Sequence, residues 1–266
     1  MKKVFSAAAL ILSLGACAEP TSAPVSADLS PVFAKGGKPR PGSGGATGPT
    51  NIAVADSFTF EIGAPSTVSS FTTELQPGVT GIASDPEIVT APLGQRFLGR
   101  FFVTATDLIL TTPAGHAKYY LAFDLYTIGS WDGKGKQAQS GAFDANIVQI
   151  QYRCAGDPAV HDLFSSTFSN QLTVQQDFPA AFGLGGNKAG TGSFDKDALG
   201  YKDYPVLSNT PPFRSFGDIS YRLAFGGDNP CGTAAISFIW GTSNPKQQSM
   251  HDESWGVDNV SLKLGT

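Results

Sequence analysis

Asp218-Ile219-Ser220-Tyr221-Arg222-Leu223-Ala224-Phe225 alternates without a break, setting Ile219, Tyr221, Leu223 and Phe225 against Ser220, Arg222 and Ala224. Successive side chains on an extended strand point to opposite faces, so this octet reads as a strand with one dry and one wet side. Ala145 to Cys154 repeats the pattern, with Val148, Ile150 and Tyr152 on one face and Gln149, Gln151 and Arg153 on the other. Strands wetted on one face belong to antiparallel sheets stacked face to face. The expected fold is therefore all-β, a two-sheet antiparallel sandwich of jelly-roll type.

Outward from these two segments, further strands are expected at Ser57 to Ile62, at Phe97 to Thr112 (one or two), at Lys118 to Ile128, at Thr233 to Trp240 and at Trp255 to Leu264. Composition agrees: 31 glycines and 18 prolines against two methionines describe strands joined by turns rather than helices. Gln176 to Pro212 has little periodicity and many Gly, Pro, Asn and Asp residues, so it reads as long loops, where binding residues concentrate. Residues 51–266 have the size of one sandwich domain.

The N-terminus reads differently. Lys2 and Lys3 precede the apolar run Ala7 to Leu14, too short to span a bilayer, and the order is that of a secretory signal peptide over residues 1–16. Leu14-Gly15-Ala16-Cys17 resembles a bacterial lipobox, which implies that Cys17 becomes the acylated N-terminus. Several acyl chains on one residue anchor stably to a membrane. Ala18 is not the Asp associated with inner-membrane retention, so in a Gram-negative cell the expected place is the outer membrane. Residues 18–50, rich in Pro, Ser, Ala and Gly, have almost nothing to bury and read as a flexible tether with a mean span of about 30 Å.

With Cys17 assigned to lipid, Cys154 and Cys231 remain, and an oxidising compartment makes one structural disulfide the expectation. The formal net charge of −4 becomes −6 once Lys2 and Lys3 leave with the signal. No basic stripe with interleaved aromatics occurs, which argues against nucleic acid as a partner.

Two Trp-Asp segments carry the candidate chemistry. Phe123-Asp124-Leu125-Tyr126-Thr127-Ile128-Gly129-Ser130-Trp131-Asp132-Gly133 is a strand running into a turn, and Asp252-Glu253-Ser254-Trp255-Gly256-Val257-Asp258-Asn259-Val260 opens the last strand. Together with Arg96-Phe97-Leu98-Gly99, Thr167-Phe168-Ser169-Asn170 and Leu199-Gly200-Tyr201, they resemble a bacterial family of secreted jelly-roll domains over about residues 81–264. The family is marked by FDLY…SWDG and a C-terminal DESWGxDNV, and its fold resembles galactose-binding-like and concanavalin-like sandwiches. That resemblance implies fold and compartment, within a group that includes sugar-binding and calcium-binding modules. Gly129 departs from the charged or polar residue that the family often has before Ser-Trp-Asp, which weakens a site at that position.

In the last strand, Val260, Leu262 and Leu264 are expected on the core face, and parity puts Asp258 there too. An inward carboxylate must be paired, hydrogen-bonded or metal-bound. Asp132, Asp252, Glu253 and Asp258 would offer calcium its oxygen ligands if the two motifs lie side by side. The competing reading has Asp258 capping backbone N–H groups and the other acids meeting water. Asp124 shares a strand face with Tyr120 and Tyr126, and Asp124, Tyr126 and Trp131 form a candidate glycan contact. Against this, an Asp so placed is commonly held by an Arg, and Trp131, Trp240 and Trp255 commonly fill a core. Catalytic signals are few. Glu61, Glu74, Glu87 and Glu253 form no closely spaced acid array, the three histidines lack zinc spacing, and no GxSxG elbow occurs. The functional expectation is a surface-displayed, non-catalytic module for glycan, with an adhesive or structural protein and a carbohydrate-active enzyme as alternatives.

Overall fold

The computed structural model describes residues 51–60, 70–76, 85–102, 106–135, 145–201, 216–243 and 253–266. The expected signal peptide, Cys17, the expected tether and Asp252 lie outside the described residues. Two antiparallel sheets stack as a sandwich. One holds β3 (Ile88–Thr90), β4 (Arg96–Phe102), β12 (Glu253–Gly265), β6 (Lys118–Gly129), β10 (Asp218–Asp228) and β9 (Asp195–Lys196) in that order, with β1 (Ile52–Phe58) also on β12. The other runs β2 (Phe71–Leu75), β5 (Thr106–Thr111), β11 (Ile236–Ser243), β7 (Ile147–Cys154) and β8 (Val160–Thr167).

The alternation that predicted the sandwich also builds its core. Ile219, Tyr221, Leu223 and Phe225 of β10 are buried, as are Val148 and Ile150 of β7. They meet Phe123, Phe238, Trp240 and Trp255 between the sheets. Phe168, Phe178 and Tyr221 close one part of this core edge-to-face and stacked, with ring centroids 4.6 to 5.1 Å apart. Expected Phe97 to Thr112 resolves into β4 and β5, which belong to opposite sheets. The first strand is Ile52–Phe58, so the expected Ser57 to Ile62 overlaps it at two residues and its last two, Glu61 and Ile62, lie outside the described residues; β2, β3 and β8 were not expected. From Gln176 to Tyr201 the chain forms the anticipated loops, with only the short β9 among them.

Cys154 and Cys231 are disulfide-bonded, with Cα atoms 5.4 Å apart, and tie the end of β7 to the turn after β10.

The last strand departs from the expected parity. Trp255 and Val257 face the core, and so do Val260, Leu262 and Leu264. Facing changes from odd to even positions because a bulge interrupts pairing with β6 between Asp258 and Ser261. Asn259 sits there with φ of 49°. One extra residue in a bulge flips the side-chain parity of everything beyond it. Asp258 therefore faces away from the core, on the outer side of the seven-stranded sheet.

Candidate functional site

The two Trp-Asp motifs do lie side by side: Glu253 pairs with Gly129 across β12 and β6, and Trp131 Nε1 donates to the Ser254 carbonyl at 2.9 Å. Trp131 is fully buried, so its ring is core and offers no platform to a ligand. Asn170, of the Thr167–Asn170 segment, donates through Nδ2 to the carbonyls of Thr127 and Gly129, each at 3.0 Å. These motif residues splice strand ends together.

Of the four acids considered for calcium, Asp252 lies outside the described residues, and Asp132, Glu253 and Asp258 do not converge. The Asp132 N–H donates to Asn146 Oδ1, and Asn146 Nδ2 donates to Glu253 Oε2, so these two share one neighbour at the end of the sandwich. The Asp132 carboxylate also accepts from Gln171 Nε2. Asp258 lies five residues beyond Glu253 along β12, about 16 Å at strand rise. Among the described residues, no three His, Cys, Asp or Glu side chains gather to hold a metal.

Asp258 belongs to a second cluster, on the outer face of the seven-stranded sheet. It sits directly opposite Asp124, which sits opposite Arg222. Residues opposite one another in antiparallel strands point to the same face. Arg222 donates from Nε and Nη2 to the two oxygens of Asp124, at 2.7 and 2.8 Å. Asn259 Nδ2 adds a third bond to Asp124 at 2.8 Å, and the Asn259 N–H donates to Asp258 at 2.7 Å. Tyr126 Oη donates to Asp258 at 3.3 Å. Both acids are buried, at 2% and 3% exposure, while Arg222 and Asn259 are exposed above them. Burial, with Asp124 beside it, pushes the Asp258 carboxyl up to about 6, against hydrogen bonds that lower it. Bidentate contact lets Asp124 hold the guanidinium in one orientation, which a buried acid without a partner would not repay.

Tyr126 is not available to a ligand either. Its ring meets Phe97 edge-to-face at 5.3 Å, under a small cluster with Ala91, Leu199 and Tyr201. That cluster roofs one end of the outer face and leaves the other end open.

Pairing registers define the open end. Ala224, Ala122, Ser261 and Ser57 stand opposite one another across β10, β6, β12 and β1, forming a row of small side chains. Three strand spacings make that row about 14 Å long. On one side stand Arg222 and Asn259; on the other stand Tyr120 and Lys263, with Lys263 Nζ 5.6 Å from the Tyr120 ring centre. The result is a trough of about 400 Å³ crossing the strands, lined by Tyr120, Ala122, Arg222, Asn259, Ser261 and Lys263. Phe194 overlies the guanidinium at 5.5 Å and is 43% exposed. The expected trio of Asp124, Tyr126 and Trp131 is thus corrected: all three are buried. Asp124 supports the trough wall from beneath through Arg222 and Asn259, and Tyr126 lies under the roofed end and donates to Asp258. Tyr120 and Arg222 were legible as wet-face residues by alternation. Asn259 needed the bulge.

No family model matches this chain, and no curated protein matches it. Among solved structures it is similar to a cleaved adhesin domain of Lys-gingipain from Porphyromonas gingivalis, at 14% identity over 80% of this chain and 99% of that one, with a TM-score of 0.38. A second cleaved adhesin domain of Lys-gingipain is 16% identical over 79% of this chain and 98% of that one, with a TM-score of 0.35. A xylan-binding module is 7% identical over 79% of this chain and 96% of that one, with a TM-score of 0.32.

Proposed function

We propose that the chain is a non-catalytic binding module that lays a glycan along the trough across β10, β6, β12 and β1. The observation that carries this reading is the row of small side chains flanked by an aromatic ring and by polar groups held from below. A floor of Ala and Ser lets a flat ring approach the sheet, Tyr120 gives it an apolar face, and Arg222 and Asn259 fix its hydroxyls. Orientation of those two side chains by buried acids means little ordering cost at binding. The same acids support a non-catalytic role, because hydrolysis of a glycosidic bond needs two carboxylates flanking it. Asp124 and Asp258 lie buried under Arg222 and Asn259 and engaged with them. The lipid on Cys17 and the tether of residues 18–50 would display the module at the cell envelope.

The test is a glycan-panel screen of the purified chain, run in calcium buffer and in chelator, beside Ala122→Trp. Ala122 is half-buried on the outer face, and a Trp there fills the trough. Expected are binding to a defined sugar class, its loss in an Ala122→Trp variant that keeps a cooperative unfolding transition, and survival in chelator, since Asp132, Glu253 and Asp258 do not converge. Equal binding by Ala122→Trp would remove the trough from the function. A second reading, an adhesive envelope protein that meets another protein, draws on Leu184 and Phe182, 81% and 49% exposed in the loop before Asn187. Absence of any glycan binding by the folded chain would favour it.

A further inference from the structure

Resting on the glycan reading of the trough, we infer that its ligand is an acidic glycan, recognised through carboxylate or sulfate groups on the sugar. The argument is one of donors and acceptors. A guanidinium has five N–H donors in a planar fork. Asp124 takes one from Nε and one from Nη2, which leaves three, including the Nη1–Nη2 edge facing away from the buried acid. That edge presents a second two-pronged site of the kind that matches a carboxylate or sulfate. Lys263, on the opposite wall, contributes three donors and no acceptor. Asn259 has its amide nitrogen directed at Asp124 and Asp258, so only its carbonyl oxygen is left to accept.

Among the described residues lining the trough none is acidic, although the whole chain carries 22 acidic side chains against 18 basic. The acids nearest by register, Asp124 and Asp258, are beneath the surface. A neutral sugar presents hydroxyls that both donate and accept, and this wall offers few partners for their protons. A carboxylate or sulfate only accepts. Stacking adds to the match: the Tyr120 ring beneath Lys263 and the Phe194 ring over Arg222 hold both cations in place while leaving the trough between them open. With the walls four residues apart along β6, about 14 Å, one acidic group on a ring over Ala122 or Ser261 reaches either long side chain.

The experiment titrates the full chain, in mild detergent, with four oligosaccharides of equal length: an oligogalacturonide, its fully methyl-esterified form, a sulfated galactan and a neutral xylo-oligosaccharide. Methyl esterification removes charge while keeping the ring and its hydroxyls. Lys263→Gln is measured beside the parent. Lys263 is half-buried on the outer face and has no part in the core, and the variant's unfolding transition checks its fold. Expected is binding of an acidic oligosaccharide about tenfold tighter than of the ester and xylan forms. Lys263→Gln should lower the acidic affinity roughly two- to fivefold, the range of a solvent-accessible charge contact, and narrow the preference for acid over ester. Tighter binding of the uronide than of the sulfated form assigns carboxylate as the recognised group, and the reverse assigns sulfate. Equal affinity for acid and ester overturns the inference and leaves the glycan reading standing. No binding of any of the four, by a chain with its normal unfolding transition, overturns both.

Discussion

Asp258→Asn is expected to flatten the pH dependence of stability between about pH 4 and pH 6. Asp258 is 3% exposed, and its carboxyl is pushed from an ordinary 3.8 up to about 6, chiefly by burial. Between those values the folded chain holds a proton there that the unfolded chain has lost. Stability contributed by this group is therefore complete below about pH 4 and is lost as pH rises through 6. Each pH unit of difference is worth about 1.4 kcal/mol, so the group accounts for about 3 kcal/mol over that window. For a domain of this size that is roughly 6–12 °C in Tm. Asp107, buried at the sandwich edge and bonded to Gln76 at 2.8 Å, is also raised to about 6 and acts in the same direction. Asp177, lowered by hydrogen bonds from Gly183 and Gly185 and by Lys134 against the effect of burial, acts only below its ordinary range, outside the window. Urea unfolding at half-unit steps from pH 4.5 to 7.5 should show the parent losing stability steadily with pH. Asp258→Asn should lose about 2 kcal/mol less over this range, which samples about two-thirds of the window, whatever its absolute stability, because an amide does not titrate there. Equal slopes for parent and variant would refute the placement of Asp258 in a buried, acid-neighboured position.

Other expectations follow from the same contacts. Asp124→Ala should cost about 2 kcal/mol in chemical denaturation, since it removes the bidentate partner of Arg222 and one of the two acceptors of the Asn259 amide, and it should weaken ligand binding more than it weakens the fold. Replacing Cys154 and Cys231 by Ala, which opens a link spanning 77 residues of sequence, should lower unfolding free energy by about 4 kcal/mol. Gly256→Ala would set a methyl group against the Phe97 ring and the Leu98 carbonyl, costing about 1–3 kcal/mol as a fall in unfolding midpoint.

Much of the sandwich was legible because its strands have one wet face. Ile219 to Phe225 named their own facing, and β6 declared itself by its length and β-propensity. What alternation could not reach were places where period two breaks. The bulge at Asn259 reverses facing for the last strand, so a reading from Val260 backward put Asp258 on the wrong side. β8 was missed because its first three residues are exposed and it has no clean alternation. The trough was illegible for another reason. Ser57, Ala122, Ala224 and Ser261 become neighbours only through register, and no sequence window contains them. Small residues on a wet face give no local signal. The Asp124–Arg222 pair was foreseeable as a type of contact, though not as a pair, since 98 positions separate them.

β12 holds the seven-stranded sheet together from its middle: its first half pairs with β4, its second half with β1, and its whole length with β6. Until residues 253–265 arrive, β4, β1 and β6 each present an open edge, and the trough has neither Asn259 nor Lys263. The sheet thus behaves as a clasp closed by its final segment. Pairing between positions some 200 residues apart makes closure slow, as long-range contacts do. Until that closure, three unpaired strand edges stand ready to bind other chains. A truncation before Glu253 would strand the protein in that state, and its visible consequence would be aggregation rather than a clean loss of binding.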